Sequence, residues 1–575
     1  MQELQTDLLI LGAGGAGLFA ALHAHAADPT LDVTIAVKGL LGKCGCTRMV
    51  QGGYNVALAA GDSVERHFMD TIEGGAWLPD QELAWKLVTG AVERVRELEN
   101  ELGCFFDRNA DGTLHQKAFA GQSFDRTVHK GDLTGIEIIN RLAEAVWARG
   151  IRRLEEHRAL GLVPGKRGGV IAGVLLIDIR TGEFVLVRAR AVVLATGGGP
   201  TMYKYHTPSG DKSCDGLAMA LRAGLAVRDI EMVQFHPTGL LAGPHTRMTG
   251  TVLEEGLRGA GGHLLNGAGE RFMVALDPRA ERATRDIVSR AMFAEMAAGR
   301  TTPHGGLYLS MGHVGPEEVR RQFKGMVERC ADCGFDLAAG QVEVVPTAHY
   351  LMGGVEFGLD CATEIAGLFA AGEDTGGVHG ANRLGGNGVA NSTVFGAVAG
   401  DEAAAWLARR GDPPEPDRAA VDRAITGAMH PFEQPQGDLN AIREELYEVM
   451  WNDVGIIRDG RGLRRGLAVL ASLGERLRRT GVADSTRRFN LTWQDWLNLD
   501  SLIDVSQAIA RAALAREDSR GAHYRSDFPH ASDLAASAYS RLRFDGSGFT
   551  VEFAPVAFTR VRPGETLFTA TKAAA

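Results

Sequence analysis

The residues best suited to chemistry gather around a glycine-rich stretch, Pro346–Gly396, which contains PTAHYLMGG, GLFAAGED and GGVHGANRLGGNGVANSTVFGAVAG. His349, His379 and Arg383 stand within it, and an arginine with histidines supplies the donors that hold carboxylates. Glycine turns let the backbone come close to a planar cofactor. The pattern predicts a buried strand over 367–371 ending at Glu373. A glycine-flanked helix then opens at Asn387, its free N–H groups turned toward an anion or a polarised carbonyl. A flavin-like ring meeting an acidic ligand is the chemistry these types imply.

The elements that must position this stretch begin at the N-terminus. An apolar strand, TDLLIL, runs into Gly12-Ala13-Gly14-Gly15-Ala16-Gly17 and then into LFAALHAHAA. Strand, GxGxxG and helix in that order predict a dinucleotide site. Gly12 makes the turn, Gly14 and Gly15 allow approach of a pyrophosphate, and Gly17 lets helix meet strand. The next strand, DVTIAV, ends at Lys38 where an NAD-type site would place an acid, so FAD held partly by other segments is the expected cofactor. The loop over 39–53, with Cys46, Thr47, Gly52 and Gly53, follows at the edge where a cofactor ring would lie. A hairpin at Thr181-Gly182 leads to a second glycine turn at Thr196-Gly197, and Asp215 opens another helix pointing to the same region.

From Gln234-Phe235-His236-Pro237-Thr238-Gly239 to about Val345 the α/β rhythm breaks, which predicts an inserted domain. Glu254, Glu255 and Arg258 stand in it, as does Arg285. Each alone reads as a solvated charge; their setting between His236 and His349 makes them site candidates. The prolines of GDPPEPD mark a linker, helical periodicity dominates 418–515, and FTVEFAPVAF reads as an alternating strand. REDSRGAHYRSDFP either reaches back to the core or forms a solvated turn.

Composition excludes several classes. The 575 residues are 45% hydrophobic and 23% charged, with a net charge of −10 and no long basic run, which argues against nucleic-acid or membrane-surface binding. Without a basic leader or an 18-residue apolar run, a cytoplasmic chain with no membrane span is expected. Seven cysteines are too scattered for a disulfide framework. Cys330 and Cys333 form a CxxC without a second pair, so neither a metal site nor a cluster held by this chain alone is expected.

The motifs GAGGAG, QGG, ATGGG, FHPTG, LRGAGG, TRDIVSRA, PTAHYLMGG, AAGE, HGANRLGGN and REDSRGAH, in this order, resemble the flavoprotein subunits of fumarate reductase and succinate dehydrogenase, with L-aspartate oxidase as kin. The resemblance runs from residue 6 to about 530. It implies an α/β fold: a Rossmann-like FAD-binding domain over 1–238 and 346–405, an inserted α+β capping domain over 239–345, a helical domain over 418–535 and a β-rich tail over 536–575. It further implies hydride exchange between flavin N5 and a carbon beside a carboxylate. By motif, Arg285 matches the proton donor, fed by Glu255 and Arg258. His236, His349 and Arg383 match the groups that hold and polarise substrate carboxylates, and Phe119 the aromatic residue near the substrate. Thr238 and Glu254 fall on the substrate wall; Gly12, Gly14, Gly15, Gly17, Lys38, Cys46, Thr47, Gly52, Gly53, Thr196, Gly197, Asp215, Glu373 and Asn387 fall on the cofactor.

Two positions depart from the family pattern. Where covalent-flavin members carry His before Thr-x-x-x-Gln-Gly-Gly, this chain has Cys46, so a histidyl link is impossible and non-covalent FAD is expected. Glu254 stands where dicarboxylate enzymes usually have Thr. A carboxylate there repels a second substrate carboxylate unless it is protonated, turned away or paired. It either meets a ligand bearing an amine, a hydroxyl or a single carboxylate, or folds into a salt bridge with a neighbouring Arg. The resemblance implies a small carboxylic acid as substrate and an iron–sulfur subunit or soluble carrier as electron partner. An amino acid oxidase like L-aspartate oxidase is the enzymatic alternative; a flavin-binding electron-transfer subunit without turnover is the non-enzymatic one.

Overall fold

The computed structural model describes residues 1–568 apart from 244, 245 and 247; positions 569–575 of the expected tail lie outside the described residues, as do those three of the expected capping segment. The strand Gln2–Leu11 is hydrogen-bonded in parallel to Val33–Val37 on one side and to Glu183–Leu194 on the other. Arg152–Glu155 extends the sheet beyond Val33–Val37, and Leu368–Ala370 pairs in parallel with the end of Glu183–Leu194. A meander through His157–Pro164 and Ile171–Asp178 reaches Glu183–Leu194 by antiparallel pairing, the last turn lying at Thr181-Gly182. Leu8 to Leu11 and Ala191 to Leu194 are buried, which suits parallel strands covered on both faces.

Two helices converge on the tips of these strands. Gly15–Ala27 follows the first strand, and Asn387–Leu407 follows Leu368–Ala370. They pack closely because small residues face each other: a side chain at Gly396 would collide with the Ala16 carbonyl, and one at Gly400 with that of Ala20. Filling such a contact costs about 1–3 kcal/mol, so the packing fixes where both N-termini lie. At the first turn, Gly12 has φ +105, and a Cβ there would meet Ala195; a Cβ on Gly17 would meet the Gly12 carbonyl. Turn geometry and helix-on-strand approach therefore both require glycine.

A second sheet runs in the order Val233–Leu240, Gln341–Leu351, Leu307–Ser310, His263–Leu265, all antiparallel. The expected domain edges at 239 and 345 fall inside its two longest strands. Both positions lie within strands, and the sheet of the inserted segment is built on the strands that carry His236 and His349. Its own core, with Leu257, Met292, Leu309 and Val344, is separate from that of the parallel sheet.

Beyond the linker, Arg418–Met429, Leu439–Asn452, Gly460–Arg478 and Leu491–Ala515 form the helical part, each started by an Asp or Asn whose side chain accepts a backbone N–H. The tail forms a hairpin, Ala538–Phe544 with Phe549–Pro555, paired to Val227–Arg228. Between them, Arg516, Asp518, Ser519, Arg520, His523 and Arg525 of the segment 516–527 are buried: Arg516 binds Asp229 and Glu231, and Arg458 binds His523. It reaches back into the core, because its arginines answer carboxylates already placed there. No described helix is long and apolar enough to cross a membrane.

Candidate active site

One cavity is lined by Gly14, Gly15, Cys46, Thr47, Gly52, Gly53, Thr196 and Gly197 at one end and by His236, Glu254, Glu255, Arg285, His349 and Arg383 at the other, with Phe119, close to both Gly52 and Gly385, and Glu373 also on its wall. The strand tips, the insertion and the helix at Asn387 all meet there. Sequence-distant candidates are brought together by two sheets sharing this edge.

The glycine end has the build that a dinucleotide requires. Helix Gly15–Ala27 begins without a side-chain cap, so its first N–H groups are open except Gly15 N–H, which donates to Thr47 Oγ1 at 2.9 Å. Helix Asn387–Leu407 also begins uncapped, and Gly386, Gly388 and Ser392 beside its start line the same cavity. Uncapped N–H groups at two helix starts fit the pyrophosphate and the polar edge of a flavin ring. An adjoining cleft lined by Gly12, Val37, Lys38, Lys212, Ser213 and Asp215 continues between the strand tips, which suits the nucleoside end.

Of the cofactor candidates, Lys38 and Asp215 line this cleft while tied to each other, and Asn387 is turned away from the cavity. Lys38 Nζ is committed to Asp215, Ser213 and Asn498 at 3.1, 2.9 and 2.7 Å. Asp215 in turn receives Arg158 at 2.6 Å. Burial opposes its charge, but Arg158 and Lys38 hold it below the usual carboxylate range. Both line the cleft as members of an internal ion network. Asn387 is turned away from the cavity: it is buried behind the turn, where its Oδ1 meets Asn55 Nδ2 and His67 Nε2, both at 2.9 Å. A residue in the first turn of a helix projects sideways, so only the helix N–H groups face forward.

The cationic end is tightly built. The register between Val233–Leu240 and Gln341–Leu351 shifts at Gln234/Phe235 and again after His236. Bulges re-aim side chains, and here the two imidazoles lie 5.4 Å apart. The Thr238 N–H donates to His236 Nδ1 at 3.3 Å, so that nitrogen is an acceptor and the neutral ring carries its proton on Nε2. His349 Nδ1 pairs with Thr207 Oγ1 at 2.7 Å. Burial and then the Arg285 charge hold both imidazoles well below their ordinary pKa.

Arg285 opens helix Arg285–Ala297. Its Nε and Nη2 donate to Glu255 Oε2 at 3.1 and 2.6 Å, while Nη1 donates to Gln234 Oε1 at 3.0 Å. Arg258 donates to Glu255 Oε1 at 2.9 Å from the far side. Against burial, Arg285 and Arg258 keep the Glu255 carboxyl below its usual range. Arg258 and Thr238 are fully buried and do not line the cavity; for Thr238 this departs from the expected place on the substrate wall, while Arg258 sits behind Glu255. Thr238 instead donates to the Leu253 carbonyl at 2.8 Å, tying the two segments of the wall.

Gln234 is the residue that sequence reading missed. Its Oε1 also accepts from Arg383 Nη2 at 3.1 Å, and its Nε2 donates to the Arg383 carbonyl at 2.6 Å. It therefore joins the two guanidinium groups. Arg383 further lies over the Tyr350 ring at 4.5 Å. Burial and the neighbouring Arg285 bring the Arg383 pKa down to about 10, so it stays charged at neutral pH. The signal available in the sequence was position alone: Gln234 stands two residues before His236 on one strand. Glu254 is paired with Lys117, not with an arginine, at 3.2 Å.

Similarity to known proteins agrees with this geometry. Residues 7–389 match the FAD binding domain model and 443–568 the model described as fumarate reductase flavoprotein C-term. The chain is 41% identical over 534 residues to a subunit of the CoM/CoB fumarate reductase of Methanothermobacter marburgensis, covering 91% of this chain and 95% of that one. It is 34% identical to the fumarate reductase flavoprotein subunit of Escherichia coli, over 99% and 96% of the two. A solved single-substitution variant of the E. coli quinol fumarate reductase flavoprotein, FrdA, superimposes with a TM-score of 0.91 at 33% identity, covering 98% of this chain and 99% of the other. A glycine cradle opening on paired arginines and histidines, carried on this fold, makes the chain a member of the fumarate reductase and succinate dehydrogenase flavoprotein family, an FAD-dependent oxidoreductase acting on CH–CH groups.

Proposed function

We propose that the cationic end of the cavity binds a four-carbon unsaturated dicarboxylate such as fumarate and delivers a proton to it through Arg285. The observation that carries this is the Gln234 bridge, which holds Arg285 and Arg383 side by side, facing His236 and His349, next to the cofactor cradle. Bound FAD supplies hydride exchange at its N5. Arg383 and the Nε2–H of His236 offer donors to a carboxylate and polarise the double bond beside it. Both imidazoles are neutral in the free site, so they contribute hydrogen bonds without adding to the charge of the arginines.

Arg285 cannot store a neutral state for long, because its guanidinium deprotonates only at high pH. It acts as a relay: as one N–H proton leaves toward the ligand carbon, the Glu255 carboxylate, 2.6 Å away, takes up a proton that enters from solvent and passes it to the guanidine. Arg258 holds the opposite oxygen of Glu255 and so keeps it aimed. Burial of these groups limits water and strengthens each of these contacts.

FAD is held without a covalent bond. Burial and the Glu373 charge push the Cys46 thiol up to about 12, which leaves it protonated and a poor nucleophile. The turnover cycle also needs a source of electrons, and an iron–sulfur subunit or a soluble carrier is the partner proposed. Glu254 already has a cation in Lys117, so no substrate ammonium is required to balance it. The test is steady-state assay with a reduced low-potential dye: fumarate is expected to oxidise it with formation of succinate. Peroxide from L-aspartate, with no turnover of fumarate, would overturn the assignment.

A further inference from the structure

Three carboxylates line the cavity, Glu254, Glu255 and Glu373. Two are well provided for. Glu255 lies between Arg285 and Arg258, and Glu373 accepts the Leu351 N–H at 3.0 Å and the Gly199 N–H at 3.4 Å. Glu254 is only 4% exposed, and the single salt bridge it makes among the described residues is with Lys117. That bridge crosses from the short strand Gln116–Lys117, attached to the FAD-binding part, to the inserted segment. Lys117 Nζ also donates to the Gly131 carbonyl at 3.3 Å and lies 5.9 Å from the centroid of Phe119, itself on the cavity wall.

The other charges near Glu254 are Asp132, which follows Gly131, and Arg329 of helix Lys324–Ala331. Asp132 packs beside Gly325 on that helix, and Arg329 donates to the Val252 carbonyl at 3.3 Å. Neither is hydrogen-bonded to Glu254. Burial pushes the Glu254 carboxyl above its ordinary value, and Lys117 opposes that shift. A buried carboxylate that loses its cation repels a like charge entering the same space.

We infer that Lys117 is a specificity-determining residue, which neutralises Glu254 across the cavity wall and thereby admits a substrate with a second carboxylate. This rests on the reading of the cavity as the carboxylate site. Lys117 does not line the cavity, so it acts through Glu254 and leaves the chemical step alone.

The experiment compares wild type, Lys117→Met, Glu254→Gln and the double variant, each checked for flavin content, on fumarate and on its monomethyl ester. Lys117→Met is expected to raise KM for fumarate about tenfold, equivalent to about 1.4 kcal/mol, with kcat and the ester KM little changed. The rise should shrink as pH falls, because protonating Glu254 removes its charge. Adding Glu254→Gln to Lys117→Met should return the fumarate KM toward that of wild type. Equal KM changes for both substrates, or a rise that persists in the double variant, would overturn the inference. Wild type that turns over neither substrate would instead overturn the reading of the cavity.

Discussion

Two of the buried charge clusters among the described residues, one in the segment 516–527 and one at the cavity, differ in what their donors reach. In the segment 516–527, Arg516 spends Nε on Glu231, Nη2 on Asp229 and Nη1 on the Ala538 carbonyl. Arg525 likewise gives its groups to Asp527 and to carbonyls of 513, 514 and 516. At the cavity, Arg383 makes two longer bonds, at 3.1 and 3.2 Å, and its Nε has no partner among the described residues. The first cluster spends most of its donors on carboxylates and carbonyls and joins the tail hairpin to the core; Arg458 Nη2 and Arg520 Nε are left over, but neither residue lines the cavity. The second keeps donors open toward a space shaped for an anion. Buried charge alone therefore does not mark a site; unspent donors around a cavity do.

The largest effect that sharpens this contrast is Arg285→Gln. It should lower kcat by about 10²–10⁴-fold while leaving flavin bound, measured by dye-coupled turnover and flavin absorbance. The mirror experiment is Arg516→Leu, which leaves Asp229 and Glu231 without their shared cation. It should cost about 3–5 kcal/mol of stability in denaturant melts, with turnover per bound flavin unchanged. If Arg516→Leu instead abolished turnover at full stability, the division between the clusters would fail.

Gln234→Met removes the shared acceptor and lets Arg285 and Arg383 move apart. A rise in KM worth about 1–3 kcal/mol is expected, read from steady-state kinetics with thermal melting as control. The smallest effect concerns pH. Burial and Arg285 hold His236 and His349 well below their ordinary range, so both are neutral above pH 6.5 and stay so for some distance below it. The profile of kcat/KM should show no histidine inflection near pH 6.5. By the same sign, these rings contribute to loss of stability only as the medium becomes acid enough to charge them on unfolding.

The cofactor end was legible because its signals are local. Strand, glycine turn and helix lie within one short run, and Gly12 and Gly17 are dictated by their own backbone neighbours. The cationic end was legible in residue types but not in arrangement. His236 and His349 are set by bulges that no spacing announces, and Gln234 matters only because two arginines remote in sequence converge on it. Asn387 shows the converse: its helix start is legible in the sequence, but that its side chain serves a buried network with Asn55 and His67 is not. Lys117 was silent because its partner lies 137 residues away. Long-range ion pairs between segments leave no periodic trace, so their partners become visible only in three dimensions.

Arg285, beside bound FAD, is proposed to deliver the proton that completes reduction of an unsaturated acid. The most direct test of this is single-turnover mixing, without oxygen, of dithionite-reduced protein with fumarate. Oxidised-flavin absorbance should return rapidly in the wild type and fail to return in Arg285→Gln that holds its flavin. A wild type that stays bleached, or an Arg285→Gln variant that recovers at the wild-type rate, would contradict the account.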